Sequence, residues 1–402
     1  MMSRLEKTLL FLILVLYGFL SIFSYAYVDL NLTISQNPLV IKFVGTMQQL
    51  GYFNRPIASL MYLLFIIFTF SFFVLNLWLF YKSKIGLRYL MLSTIASTFI
   101  LIFAYPFLSS DLFNYLFDAK IILNYHQSPY THRPLDFPND EWLRFMRWIH
   151  RYSPYGPLWL GMSLVPAALG FGKFILNFLT FKLFIGAFHL INSYLIYKIL
   201  QKIGTKNVLL GTAFYATNPL FLIEGVANAH NDIVLTSFLL LSIFFSIYSK
   251  KAFSLAAIIG GTLIKYIQIL TIPNFILFSA FKRIKIDQLI LLNLASLGAF
   301  TYLFSSFPIT VPFVSSGATQ VQFQPWYLFW TLPFVSLIPN LILVSVSLAL
   351  SIGASLRYLP YLYYGDWAHP GVITFMQTVT VLPVIATIII FALFFNKWLK
   401  IR

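Results

Sequence analysis

The chain has no cysteine, so no disulfide staples it and cysteine usage says nothing of its redox compartment. Charge is nearly as scarce: 9% of residues are Asp, Glu, Lys or Arg, whereas 59% are hydrophobic and the mean hydropathy is +0.83. That balance excludes a soluble domain, because apolar runs recur from end to end. The runs are too long for barrel strands, and backbone in lipid must bond within itself, which leaves helices. Acids are fewest, 11 against 27 Lys and Arg, for a net charge of +16. This basic excess does not point to nucleic acid, because the cations gather in short clusters between apolar runs. Nucleotide motifs are missing as well. There is no G-x-G-x-x-G followed by an acid on a strand, no G-x-x-x-x-G-K-S/T, no H-E-x-x-H and no G-x-S-x-G. Sugar-nucleotide and ATP chemistry are therefore unsupported. No fixed-period repeat and no low-complexity tract is present.

The expected architecture is an all-α polytopic membrane protein, one domain over 1–402, with juxtamembrane helices in its first large outer loop. Basic clusters at Arg4/Lys7, Lys82/Lys84/Arg88, Lys198/Lys202/Lys206, Lys250/Lys251, Lys282/Arg283/Lys285 and Lys397/Lys400/Arg402 hold 16 of the 27 cations. The positive-inside rule puts them all in the cytoplasm. About twelve spans follow, at 8–28, 56–81, 89–107, 174–197, 207–223, 231–248, 252–264, 266–281, 288–305, 326–338, 341–357 and 372–395, with both termini inside. The first run is longer than a signal-peptide core and reads as a retained span. Residues 157–171 do not fit the parity and read as a short re-entrant or interfacial helix. Runs 252–264 and 326–338 are short for a full crossing, which suggests broken helices near Lys265 and Pro339 lining a cavity. The outer loops are then 29–55, 108–157, 224–230, 306–325 and 358–371.

Loop 108–157 concentrates the polar chemistry. Between Ser109 and Pro157 lie five of the eleven acids, Asp111, Asp118, Asp136, Asp140 and Glu141, and five cations, Lys120, Arg133, Arg144, Arg147 and Arg151. Ser109 or Ser110 can cap a helix in which Asp111, Asn114, Tyr115 and Asp118 share one face. Asp111 would sit at the positive N-terminal end. A solvated juxtamembrane helix is the plainer reading; it suits Asp140 and Glu141, whereas Asp111 reads as functional. A second helix, capped by Asn139, would carry Trp142, Phe145, Met146 and Ile149 as an apolar stripe with Arg144, Arg147 and Arg151 beside it. Such a helix lies in the membrane interface. The loop's cations break the positive-inside trend and call for an anionic partner.

Four further polar groups sit in apolar context: Glu224, His230-Asn231-Asp232, Lys265, and Gln324-Pro325-Trp326-Tyr327. On the derived topology they reach the same membrane face as Asp111. Charges near spans are costly and must pair or serve a function. The plainer readings are a snorkelling lysine or one paired with Glu224 or Asp232, a capping histidine, and an interfacial aromatic belt.

The order of these motifs resembles a known family. Asp111-x-x-x-Tyr115, Pro129-Tyr130 and Tyr155-Gly156-Pro157-Leu158-Trp159 are similar to the first outer loop of bacterial polyprenyl-phosphate-mannose-dependent mannosyltransferases, of the GT-C class of integral membrane glycosyltransferases. Asn218-Pro219 with Glu224 and His230-Asn231-Asp232, Lys265 before Pro273, and Pro325-Trp326-Tyr327 before Trp330 continue the resemblance, which covers roughly 105–335. Ser128-Pro129-Tyr130 and Lys265 also resemble, more loosely, the first mannosyltransferase of GPI-anchor synthesis. The resemblance implies inverting transfer of a hexose, mannose by analogy, from a polyprenyl-phosphate donor to a glycan or glycolipid hydroxyl at the extracytoplasmic face of the cell membrane. Asp111 would be the base. Tyr115, Asp118, Tyr130, Arg133, Arg147, Arg151, Tyr155, Glu224, His230, Asp232, Lys265, Gln324, Trp326 and Tyr327 are the candidate substrate contacts. Lys265 or a loop arginine would stabilise the departing phosphate. The Asp-x-Asp often associated with this class is absent at Asp111-Leu112-Phe113, so no cofactor is assigned and a divalent metal stays open. A lipid-linked sugar flippase or other transporter is the rival, since transporters also use broken helices and buried charges. It should show related halves and midplane charges; no inverted repeat is visible here, and the polar chemistry gathers in one outer loop.

Overall fold

The run from Arg55 to Tyr81 has a proline only in its first turn and no glycine, and it folds as one helix of 27 residues. At 1.5 Å per residue that is about 40 Å, enough to cross a hydrocarbon core of about 30 Å. In the computed structural model, which describes residues 2–304 and 323–399, every regular element is helical and no strand occurs among the described residues. The helices are α1 (Arg4–Ser24), α2 (Pro38–Gln48), α3 (Arg55–Tyr81), α4 (Leu87–Ile102), α5 (Asp111–Leu123), α6 (Pro157–Leu169), α7 (Phe174–Ile203) and α8 (Val208–Ala216). They continue with α9 (Asp232–Ile247), α10 (Lys251–Thr262), α11 (Ile272–Ala280), α12 (Ile286–Ala299), α13 (Leu332–Leu337), α14 (Leu341–Leu356), α15 (Leu359–Tyr364) and α16 (Val372–Leu399).

Five stretches are long and apolar enough to span: Arg4–Tyr27, Arg55–Tyr81, Phe174–Ile203, Leu341–Tyr364 and Val372–Leu393. A sixth candidate is a broken pair, Phe221–Ala227 with Asp232–Ile247, bent by 114°. Length and composition thus qualify five or six of the twelve expected crossings. The other runs are shorter apolar helices, at Leu87–Ile102, Pro157–Leu169, Lys251–Thr262, Tyr266–Ala280 and Ile286–Tyr302. The outside of the body is apolar: Val381, Leu382, Ile385, Ile388, Ile389 and Leu393 of α16 are all exposed, which suits lipid and not water. Most of the expected outer loop 306–325 lies outside the described residues.

The break expected at Lys265 is present. α10 ends at Thr262, Lys265 is extended, and a 3-10 turn follows over Tyr266–Thr271. The segment 108–157 is less regular than expected. Instead of an amphipathic helix, the segment forms a 3-10 turn over Glu141–Phe145, and Met146 is already extended. Asp140, not Asn139, caps this turn by accepting from Trp142 N at 2.9 Å. Asp140 also accepts from Tyr125 Oη (2.7 Å) and pairs with Lys120 (2.5 Å), so its role is structural, and Glu141 is exposed. Phe145 and Met146 pack inward as the apolar stripe requires, but the chain turns away before a helix can complete. α5 is not a solvated helix either: Leu112, Phe113, Leu116, Phe117 and Ile121 are buried, and packing against α6 and α7 draws it into the body.

Candidate active site

The site is built where a span fails. After α8 the chain reaches Asn218-Pro219, and proline cannot continue the backbone ladder. A π-helical turn over Phe221–Ala227 follows, and the chain then swings into α9. At the corner Ala229 takes φ +59°, the left-handed region that a residue with a Cβ rarely adopts. Strain of this kind persists where the surroundings enforce it, commonly at functional sites. The corner presents Glu224, Asn228, His230 and Asp232, and all four are buried.

His230 lies between two carboxylates. Its Nδ1 is 3.4 Å from Asp111 Oδ2, and its Nε2 is 3.4 Å from Glu224 Oε2. A carboxylate only accepts, so a ring facing one at each nitrogen is best matched as the imidazolium, with two N–H groups. Asn228 Nδ2 donates to the same Glu224 oxygen at 3.1 Å, and Leu108 N donates to Asn228 Oδ1 at 3.2 Å. The Trp326 ring stacks on the imidazole, with centroids 3.9 Å apart. Beside this array, Lys265 Nζ donates to both oxygens of Asp232 at 2.9 Å, and Trp330 Nε1 donates to Oδ1 at 2.7 Å. Tyr327 stacks on Trp330 at 4.3 Å, and both rings flank the ammonium, at 5.7 and 5.5 Å. The pairing with Asp232 was one of the plainer alternatives for Lys265.

Exposure separates the members. The side chains of Glu224, His230 and Asp232 keep 1% of their surface or less, whereas Asp111 keeps 22% and Lys265 24%. One carboxylate and one ammonium are thus open to a ligand, and the groups behind them are sealed. Burial works against the charge of Asp111, but the His230 imidazole, together with the positive charges of Lys265 and Arg151, outweighs it and holds the carboxyl below its ordinary value. Ser109 supports this end of α5 by accepting from Asp111 N at 3.2 Å, and Ser110 makes no side-chain cap.

The loop is locked onto the break. Asn231 N donates to Tyr115 Oη at 3.4 Å, and Tyr155 and Trp159 meet the Tyr115 ring edge-on at 4.9 Å. Tyr130 Oη donates to Tyr155 O at 2.7 Å. Gly156 N donates to Ile264 O and Leu158 N to Leu263 O, at 3.1 and 2.9 Å, one residue from Lys265. Only glycine fits there, since a Cβ on residue 156 would lie 2.0 Å from Leu263 O.

The other expected contacts make no hydrogen bond or ion pair with the Asp111–His230 and Lys265–Asp232 groups among the described residues, although the charge of Arg151 acts on Asp111. Asp118 is buried two turns along α5, and burial lifts its carboxyl to about 7 although Ser153 opposes the shift. Arg133 pairs with Asp136 at the surface (2.9 Å), Arg151 covers Trp148, and Arg147 neighbours Tyr361 and Tyr52. Gln324 is half-buried just before the aromatic turn. Among the described residues, no three His, Asp or Glu side chains converge as a metal ion requires. Sequence reading missed Asn228, Trp330 and Trp159 as parts of the site. The two tryptophans stand inside motifs already singled out; Asn228 carries no separate signal.

Residues 16–281, about two-thirds of the chain, match the MptA_B family, described as alpha-(1->6)-mannopyranosyltransferase, N-terminal domain. The chain belongs to that family. It is a membrane mannosyltransferase of the GT-C class, and the match gives the transporter reading no support. Neither a curated protein nor a solved structure matches the chain.

Proposed function

We propose that this mannosyltransferase moves mannose from a polyprenyl-phosphate donor to a hydroxyl of a glycan or glycolipid, at the extracytoplasmic face of the cell membrane, in one inverting displacement. The observation that carries this reading is the pairing of an open carboxylate, Asp111, with an open ammonium, Lys265, on a sealed polar base. Asp111 accepts the proton of the acceptor hydroxyl as its oxygen bonds to the anomeric carbon. The bond from that carbon to the phosphate oxygen breaks, and the electron pair leaves with the lipid phosphate. Lys265 faces the charge that develops there, within a low-dielectric setting where such stabilisation is large. His230 orients Asp111, Glu224 holds His230, and Asp232 holds Lys265. Trp326 and Tyr327 form an aromatic wall suited to the apolar face of a sugar. A donor that arrives dissolved in the bilayer is consistent with the missing nucleotide motifs.

The test is turnover in membranes holding the chain, with labelled polyprenyl-phosphate-mannose and an α-linked mannose oligosaccharide as acceptor. By the family description the product is α-linked, so inversion requires the β-linked donor. Transfer from the β-phosphate alone is expected. Transfer from the α-phosphate with retention, or from a nucleotide sugar, would contradict the proposal.

A further inference from the structure

One buried cation plays no part in the chemistry above. Lys182, the ninth residue of the 30 in α7, is fully buried. Its Nζ donates to Val226 O at 2.6 Å and to Ala227 O, and among the described residues it has no carboxylate within ion-pair distance. A lysine inside a span is costly and its place needs a cause. The cause lies in the broken backbone opposite. Where a span breaks, carbonyls lose their helical donors, and in a dry interior each needs another.

α7 supplies them from one face. His189 Nε2 lies 3.1 Å from Ala216 O at the end of α8, and on the same stripe Asn192 Nδ2 adds a bond of 2.8 Å to Ile233 O in the first turn of α9, a carbonyl that already lies inside the helix. Lys182 serves the two carbonyls between these points, and they immediately precede Asn228, Ala229 and His230. Residues 182, 189 and 192 fall at i, i+7 and i+10, about two and three turns on, along the same stripe. An apolar side chain of similar length would leave both carbonyls without a donor. We infer that Lys182 is a positioning residue: it fixes the 226–227 backbone and thereby sets the placement of His230 against Asp111. The inference rests on the reading of Asp111 as the base.

The test is Lys182→Met in the purified full-length protein. Turnover number should fall about tenfold to a hundredfold, the scale of an ångström-sized misplacement, with the donor KM changed less than about threefold. On an Asp111→Asn background the same change should cost less than about twofold, since the geometry it protects no longer matters. Amide exchange is a readout free of substrate. Asn228 N and His230 N bond Ile223 O (2.8 Å) and Glu224 O (3.3 Å). Both should exchange about tenfold faster in Lys182→Met, with α16 unchanged. Lys182→Gln keeps one amide donor and should lie between wild type and Met in both readouts; it also serves if Met does not fold. Unchanged turnover in folded Lys182→Met, or lost turnover without faster exchange at 228 and 230, would overturn the inference. Failure of the wild type to use the mannose donor would overturn the donor reading alone, because the exchange result does not depend on it.

Discussion

Asp232→Asn probes the pair on which Lys265 depends. The native carboxylate is buried and accepts three charge-assisted bonds, two from Lys265 at 2.9 Å and one from Trp330 at 2.7 Å. Asparagine keeps the shape and one acceptor oxygen but removes the counter-charge bonded to the ammonium, leaving only the more distant Asp111. Removing one partner of a fully buried pair costs about 3–5 kcal/mol. Lys265 keeps 24% of its side-chain surface and can draw in water, which lowers that figure. Asp232 is also the first residue of α9, and loss of an anion at a helix N-terminus adds about 0.3–1 kcal/mol. The expected destabilisation is about 2–3 kcal/mol. Unfolding in mixed micelles, followed by tryptophan fluorescence, measures it. Lys265→Met should cost a similar amount, and the double variant about 1–3 kcal/mol less than the sum, as contacting residues do. Strict additivity would refute the pairing.

Three further outcomes are expected. Because the chain lacks cysteine, single cysteines at Ser128 and Ser249 report topology cleanly: an impermeant thiol reagent on intact cells should label 128 and spare 249, and the reverse pattern would invert the assignment. The Asp118 carboxyl is raised to about 7, so its neutral form is favoured in the fold. Its contribution to stability is full below the ordinary carboxylate pKa and is lost as pH rises through about 7; Asp118→Asn should flatten that stretch of the stability–pH curve, and an unchanged slope would disprove the assignment. Gly156→Ala forces a Cβ to within 2.0 Å of Leu263 O and should lower stability by about 2 kcal/mol or more while raising the donor KM; wild-type values for both would show that the loop is not seated on the 263–265 segment.

The membrane class and the helical fold were legible because a charge content of 9% leaves no other way to satisfy the backbone. The break at Lys265 was legible from a run too short to span. The corner at 217–231 was only half legible: Asn218-Pro219 announces a break, but no local pattern gives the 114° bend. The amphipathic stripe Trp142–Ile149 misled, because burying Met146 and packing Phe145 against α5 and α7 does not require a helix. Asp111 and Lys265 were visible as charges out of place. The sealed pairs behind them were not, because Asp111 meets His230 across 119 residues and Asp232 meets Trp330 across 98. Lys182 gave a weaker signal still, since a lone lysine in a span looks the same whether it snorkels or caps a broken strand of backbone.

The central claim is that Asp111 is the base. Asp111→Asn keeps the side chain's shape and its place beside His230 but removes its basicity. With labelled polyprenyl-phosphate-mannose and saturating acceptor, turnover of the folded variant should fall by about 10²–10⁴, with donor affinity close to wild type. Near-wild-type turnover in Asp111→Asn, together with its loss in a folded Asp118→Asn protein, would contradict the claim and move the base two turns deeper along α5.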